Sequence, residues 1–450
     1  MTKFSRLAKS EESASPHLPQ FSRSLAEKSS RRLAAMPLFS DKEYREMHQG
    51  AADGLGVDTF YHALCYGAPQ GGPLFKPEQI ARSLASASGS SIDEPLPAAP
   101  VRSSFEDRAG TFRAQYPHAS VYVSSLGNTF MKEIAGDLAL DLRRAGLDVV
   151  IRDENSDIAS MPPLSIVVAP HEFFTLGAGK EWMRDAVVSA SFIYNTEQLH
   201  TPWFAKAMPT ILASQGVFDI SPQAAHLFGE AGIPAMHLEP GATLQTRWLE
   251  DVDMDHPLFD ALPTNAKGQI FDPGAWVGRP IDVSFFGSES ARRESFFGRN
   301  AATFAKLSSF IYYRRQWHGP ILDYTEGRSL TRLAGHVAGH SKISLNIHRD
   351  EFPYFEWHRM VRQGMASGAL VVTDPCLPHP HLRPGEHFFE EEARHIPNLL
   401  EWLIFDVDGQ RDAQRVLKNT ADLLSSNEAD FVRTDAILSF LSKQLGGTEP

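Results

Sequence analysis

Apolar positions between residues 113 and 430 fall into short runs set apart by longer stretches with helical spacing. "VYVSSL" (121–126), "DVVIRD" (148–153), "SIVVAP" (165–170), "SFIYNTE" (191–197), "GVFDIS" (216–221) and "AMHLEP" (235–240) predict strands. "FMKEIAGDLALDLRRAG" (130–146) predicts a helix ending on Gly146 as its cap. A second series follows: strands at "IDVSFFGS" (281–288), "FIYYRR" (310–315), "KISLNIHR" (342–349) and "ALVVTDP" (369–375). Its helices are "ARRESFFGRNAATFAKL" (291–307), the segment that opens at "EWHRMVRQG" (356–364), and "AQRVLKNTADLLSS" (413–426). Strands alternating with helices imply βα units and parallel sheets. The chain thus predicts an α/β protein of two doubly wound halves facing across a cleft, joined near "FDPGAWVGRP" (271–280). In open parallel sheets ligands bind beyond the carboxyl ends of the strands, so those residues are the ones to inspect.

The remaining segments divide the chain further. Residues 1–36 are Ser-, Lys- and Arg-rich without an apolar run, which predicts a disordered leader. Residues 37–82 predict a small helical module, and the Ser/Pro/Ala-rich 83–112 a linker. The front domain is expected over 113–275 and the rear domain over 276–450. A net charge of 43 − 55 = −12 argues against a nucleic-acid partner. Two cysteines, Cys65 and Cys376, provide no disulfide framework and fit a reducing, cytoplasmic setting. No apolar run is long enough for a membrane-spanning helix.

Candidate chemistry sits at the strand ends. In the front half, His171 and Glu172 follow one apolar strand and Glu197 follows another. A carboxylate beside an imidazole can deprotonate or orient a hydroxyl. In the rear half, Gly287 and Ser288 end a strand ahead of Arg292 and Arg293, where backbone amides and guanidinium groups can hold a diphosphate. His348 and Arg349 end another strand. Glu356, Arg359 and Gln363 share one helix face, and Ser367 and Gly368 lead into the strand that ends at Thr373 and Asp374. The bland reading of each remains: solvent-exposed ion pairs, a tight turn, a structural histidine.

The helix, small residues, apolar strand and Thr-Asp, followed by "LRPGEHFF" (382–389), resemble the donor-side motif "R-x-x-E-A-x-A-x-G-x-x-x-x-T-D" of group-1-like GT-B glycosyltransferases. "IDVSFFGSESARRESFF" (281–297) resembles the same families' opening "D-V-x-F-x-G-s-x-x-x-R", and the rear half also resembles a spore-maturation-protein-like C-terminal domain. Gln363 stands where those families place a Glu, so it keeps hydrogen-bonding capacity without the charge. "PLFSDKEYREMHQGAADGLGVDTFYHALCYGAPQGGPLFKPEQI" (37–80) resembles a module attached to bacterial surface-polysaccharide glycosyltransferases, with Ala63 where a Tyr is usual. The resemblance implies transfer of a sugar from a nucleotide-diphosphate donor to a hydroxyl on a glycan or lipid-linked acceptor, without metal or other cofactor. It also implies peripheral association with the inner face of the membrane through the acceptor. Sugar, acceptor, stereochemistry and oligomeric state stay open.

Rival readings rest on "DVDMDH" (251–256) as a metal-binding Asp-x-Asp, "FDVDG" (405–409) as the start of a calcium loop, and the Cys/His-bearing "PCLPHPHLRPGEHF" (375–388). The last is expected instead as a loop over the donor phosphates. A dinucleotide-dependent oxidoreductase lacks its G-x-G-x-x-G after either opening strand. A non-catalytic nucleotide-sugar or glycan-binding protein on the same two-lobed shell is the main alternative.

Overall fold

The computed structural model describes residues 23–48, 51–55, 57–91, 102–240, 256–268, 273–315, 322, 328–353, 355, 357, 359–424 and 427–446. The front sheet runs in the order β2-β1-β3-β4-β5-β6, with β1 His118–Tyr122, β2 Asp148–Arg152, β3 Leu164–Val168, β4 Phe192–Asn195, β5 Gly216–Asp219 and β6 Ala235–His237. The rear sheet runs β11-β10-β9-β7-β8, with β7 Ile281–Ser288, β8 Ser309–Arg314, β9 Ser341–Asn346, β10 Leu370–Thr373 and β11 Phe389–Glu390. Every pairing in both sheets is parallel. β3, β4, β5 and β10 are buried along their whole length, as strands inside a parallel sheet covered on both faces are.

Strand order reverses at β1/β3 in the front sheet and at β7/β9 in the rear one. A doubly wound sheet splays its connections apart at this point and leaves a crevice. The two lobes meet across these ends. Gln198 Nε2 donates to Phe355 O at 2.9 Å, Gln223 Nε2 to Pro378 O at 2.8 Å, and Arg362 Nη1 lies 3.0 Å from Glu239 Oε2. The expected two-lobed α/β architecture is the observed one.

Three expectations need correction. The leader is helical from Arg23 to Ala35, because Leu33 is buried and Arg32 Nη1 donates to Leu212 O at 2.7 Å; residues 1–22 lie outside the described residues. Much of the linker is helix, within Pro77–Ser91 and Arg102–Gln115. Phe105 and Phe112 carry the second helix into the front core, which polar composition averaged over the segment conceals. Finally, the last helix, Asn427–Gln444, returns to the front lobe. Arg433 Nε binds Asp141 Oδ2 at 2.7 Å, and Phe440 packs on Phe192 and Phe218.

Candidate functional site

At the front switch point β3 passes through Ala169, whose φ of 51° is the one left-handed non-glycine conformation among the described residues. Such strain persists only where surroundings over-determine it. It turns the chain straight into the short helix Pro170–Phe173 and buries His171 and Glu172 at the strand tip. Glu172 Oε2 accepts from Asn128 N at 3.0 Å, and its Oε1 from Asn128 Nδ2. Gly127 is required here, since a Cβ would lie 2.2 Å from Glu172 Oε2. Glu197, after β4, places Oε1 3.4 Å from His171 Nε2. Thr201 Oγ1 and Asn195 Nδ2 hold that turn, donating to Glu197 Oε2 at 3.3 Å and Glu197 O at 2.9 Å. Asn195 is in turn held by buried Asp219 at 2.8 Å.

Burial and the neighbouring Glu172 push the Glu197 carboxyl up to about 8, against Thr201 and, from the rear lobe, Arg349. Burial, aided by Lys206, pushes His171 down to about 3. Both directions favour an uncharged pair, the expected outcome when two ionisable groups lose solvent together. Among the described residues His171 Nδ1 is buried without a hydrogen-bond partner.

The rear tip has a different character. Ser290 caps helix Ala291–Arg299, its Oγ accepting from Arg293 N at 3.2 Å. Arg292 Nη2 lies 2.5 Å from Asp374 Oδ2, and its Nη1 donates to His348 O at 3.0 Å. Arg293 is buried and braces the sheet, donating from Nε to Ile347 O at 2.7 Å and from Nη1 to Ser288 O at 2.9 Å. Gly287 leaves room for this, since a Cβ would sit 2.9 Å from Arg293 Nη1. Asp374 Oδ1 accepts from His348 N at 3.1 Å, and Thr373 Oγ1 accepts from Asn346 Nδ2 at 3.0 Å. A cavity of about 1150 Å³ opens beside this tip, lined by Arg292, Arg299, Arg349 and Arg394 and equally by Glu289, Glu294, Asp350 and Glu351.

The structure therefore gathers His171, Glu172 and Glu197 at one tip, and Gly287, Ser288, Arg292, Arg293, His348, Arg349, Thr373 and Asp374 at the other. Gln363, in helix Arg359–Ala366, is 7 % exposed, and among the described residues neither its Nε2 nor its Oε1 has a partner. Glu356 and the Arg359 side chain lie outside the described residues. Ser367 and Gly368 do not join the site. They precede β10 and so lie at its amino end, with Ser367 O accepting from Arg279 Nη2 at 2.9 Å. The amides expected to be open to a ligand instead close the helix: Ser367 N, Gly368 N and Ala369 N donate to Gln363 O, Met365 O and Gly364 O. Gly368, at φ +71°, is the left-handed residue that this ending needs.

The His-rich loop 375–388 is also displaced from its expected role. His379 Nε2 sits 2.5 Å from Glu239 Oε1, and Arg362 occupies the other oxygen, so this loop seals the seam between lobes. Glu239 and Arg362 were not singled out from sequence, because their pairing spans 123 positions of chain and leaves no local signal. Asp406 caps helix Val407–Leu424, its Oδ1 accepting from Asp408 N at 2.8 Å, which accounts for "FDVDG". Residues 251–255 of "DVDMDH" lie outside the described residues. Among the described residues no cluster of His, Cys, Asp and Glu is arranged to hold a metal ion, and no helix is long and apolar enough to cross a membrane.

No protein-family model matches the chain, and no curated protein matches it. Among solved structures, HepE of Anabaena in complex with UDP-glucose aligns over 72% of this chain and 99% of its own, at TM-score 0.43 and 11% identity. An alpha-glucosyltransferase in complex with UDP-glucose and DNA containing an abasic site aligns over 69% and 99%, at TM-score 0.40 and 7% identity. The same kind of enzyme with UDP and mismatched DNA aligns over 68% and 94%, at TM-score 0.37 and 7% identity. At these values the likeness says nothing of chemistry, which rests on the residues at the two tips.

Proposed function

We propose that this protein transfers a sugar from a nucleoside-diphosphate donor to a hydroxyl acceptor, with donor at the rear tip and acceptor at the front. The observation that carries this reading is the buried His171–Glu197 pair, whose Nδ1 is unpartnered among the described residues at one strand tip, while a cavity bearing Arg292, Arg349 and both signs of charge lies at the other.

The chemistry follows from the pair. With Glu197 ionised, His171 Nε2–H donates to it and Nδ1 presents a lone pair. Nδ1 then takes the acceptor proton, and the carboxylate stabilises the imidazolium, the division of labour of any base held by a third group. Arg349 favours the ionised carboxylate, so drawing the rear lobe onto the front one readies the base. The departing diphosphate is met by Arg292, Arg349 and the amides at the start of helix Ala291–Arg299. Arg293, with its donors spent on carbonyls, supports that geometry from behind. The unpartnered Gln363 amide has both a donor and an acceptor for donor hydroxyls.

The test is a thermal-shift screen of sugar nucleotides, UDP-glucose included, followed by assay of free-nucleotide release. Stabilisation and release together support transfer. Stabilisation without release, in any acceptor mixture, would favour the non-catalytic binding protein. No stabilisation by any sugar nucleotide would remove the donor site.

A further inference from the structure

Trp203, at the second position of helix Pro202–Ala213, is 49% exposed, a large apolar surface to leave in water. Its ring centroid lies 6.1 Å from that of His171, the buried imidazole whose Nδ1 has no partner among the described residues. Lys206, one turn along, holds its ammonium 4.5 Å from the Trp203 ring and forms no ion pair among the described residues. This cation–π contact fixes the indole in place. An exposed aromatic surface beside a buried unpartnered polar atom is the build of a site for a ligand with one apolar face and polar edges.

The second wall comes from the amino-terminal unit. Its helices do not hang from the chain: Leu38, Tyr44, Leu64 and Phe75 share one core with Phe204, Met208 and Ile211 of the Trp203 helix. The turn that follows the π-helical Ala63–Gly67 closes on Gly71, at φ +72°. A Cβ on Gly71 would lie 3.1 Å from Pro202 Cβ and 3.4 Å from Lys206 Cε. The turn is therefore seated on the residues that flank Trp203.

We propose that Trp203, Lys206 and the turn 68–72 form a platform for a neutral pyranose ring of the acceptor. The C–H face of the sugar stacks on the indole, and one hydroxyl is directed to His171 Nδ1. This rests on the glycosyl-transfer reading and makes the amino-terminal unit part of the acceptor site.

The test uses the full chain, with UDP in calorimetry and methyl glucopyranoside, galactopyranoside and mannopyranoside in saturation-transfer NMR. Methyl glycosides carry no aromatic aglycone, so any stacking on the indole comes from the pyranose ring itself. Transfer to the pyranose protons is expected in the wild type with UDP bound, to fall at least about fivefold in Trp203→Ala, and to recover in Trp203→Phe. Gly71→Val, which pushes the turn off Pro202, should lower it as well. UDP affinity should stay within about twofold in all three, since none touches the rear tip. No transfer in the wild type, or equal transfer in Trp203→Ala, overturns the platform even if UDP binds. Equal transfer in Gly71→Val overturns the role of the turn. Failure of UDP to bind the wild type would instead count against the donor reading, with the sugar arm still deciding the platform.

Discussion

The two strand tips are built from the same topology and spend their polar groups in opposite ways. At the rear tip Arg292, Arg293, His348 and Asp374 are buried or half-buried, and most of their hydrogen-bonding capacity is used within the lobe. At the front tip His171 and Glu197 are pressed toward their uncharged forms, and one imidazole nitrogen is left over. A satisfied buried network is stiff and holds a shape, whereas an unsatisfied one is costly unless a ligand completes it. The rear tip is thus largely a frame and the front tip largely a reactive centre. Gln363 departs from that pattern in the rear lobe: among the described residues it is buried with neither end of its amide partnered.

The strongest way to break this contrast is at Glu197. Glu197→Gln keeps the shape and removes the ionisable group, and should lower the rate of nucleotide release by about 10²-fold or more. In the wild type that rate should rise with pH until about 8, where Glu197 ionises. The variant should lose that limb. The same titration has a stability consequence of fixed sign. An unfolded Glu ionises near about 4.3, whereas the folded one holds its proton up to about 8. Stability therefore falls as pH rises between those values, because the unfolded chain releases a proton that the folded one keeps. Melting temperatures of Glu197→Gln should show a shallower slope, the remainder coming from buried Asp219, whose carboxyl burial pushes up to about 7; an unchanged slope would show that Glu197 does not titrate in this range.

Arg293→Met tests the frame. It strands Ile347 O and Ser288 O, and thermal or denaturant unfolding should report a loss of about 3 kcal/mol. Loss of nucleotide affinity at unchanged stability would instead make Arg293 a ligand contact. Gln363→Ala inverts that pattern: UDP affinity by calorimetry should fall about fivefold, while the melting temperature without ligand holds or rises, since an unpartnered buried amide is removed. Smallest is Gly368→Ala. The left-handed conformation should cost about 1 kcal/mol, with nucleotide affinity unmoved. A drop in affinity there would return the small-residue helix end to the site.

Much of the fold was legible along the chain. The mostly apolar runs at 165–168, 216–219 and 370–373 became buried parallel strands within a residue or two of their expected ends. Candidate residues directly after strands were legible too, because a parallel sheet sends every strand's carboxyl end to one edge. That rule brought His171 and Glu197 together across 26 positions of sequence. It failed for Ser367 and Gly368, which precede their strand. Helix Arg23–Ala35 was missed because it is polar on all but one narrow face and is held by contacts with Leu212 and Ser214 far along the chain.

What the sequence determined alone was periodicity: which stretches are strands, how they alternate with helices, and hence which residues reach a sheet edge. Local spacing carries that information because side-chain direction repeats every two or 3.6 residues. What only the tertiary structure decided was how each polar group is spent. Arg292 and Arg293 are neighbours of the same type, yet Arg293 alone is locked onto the carbonyls of Ser288 and Ile347, while Arg292 lines the cavity. Among the described residues His171 keeps a free nitrogen and His379 does not. Hydrogen bonding and desolvation depend on distances of a few ångströms between residues far apart in the chain, and no one-dimensional pattern encodes them.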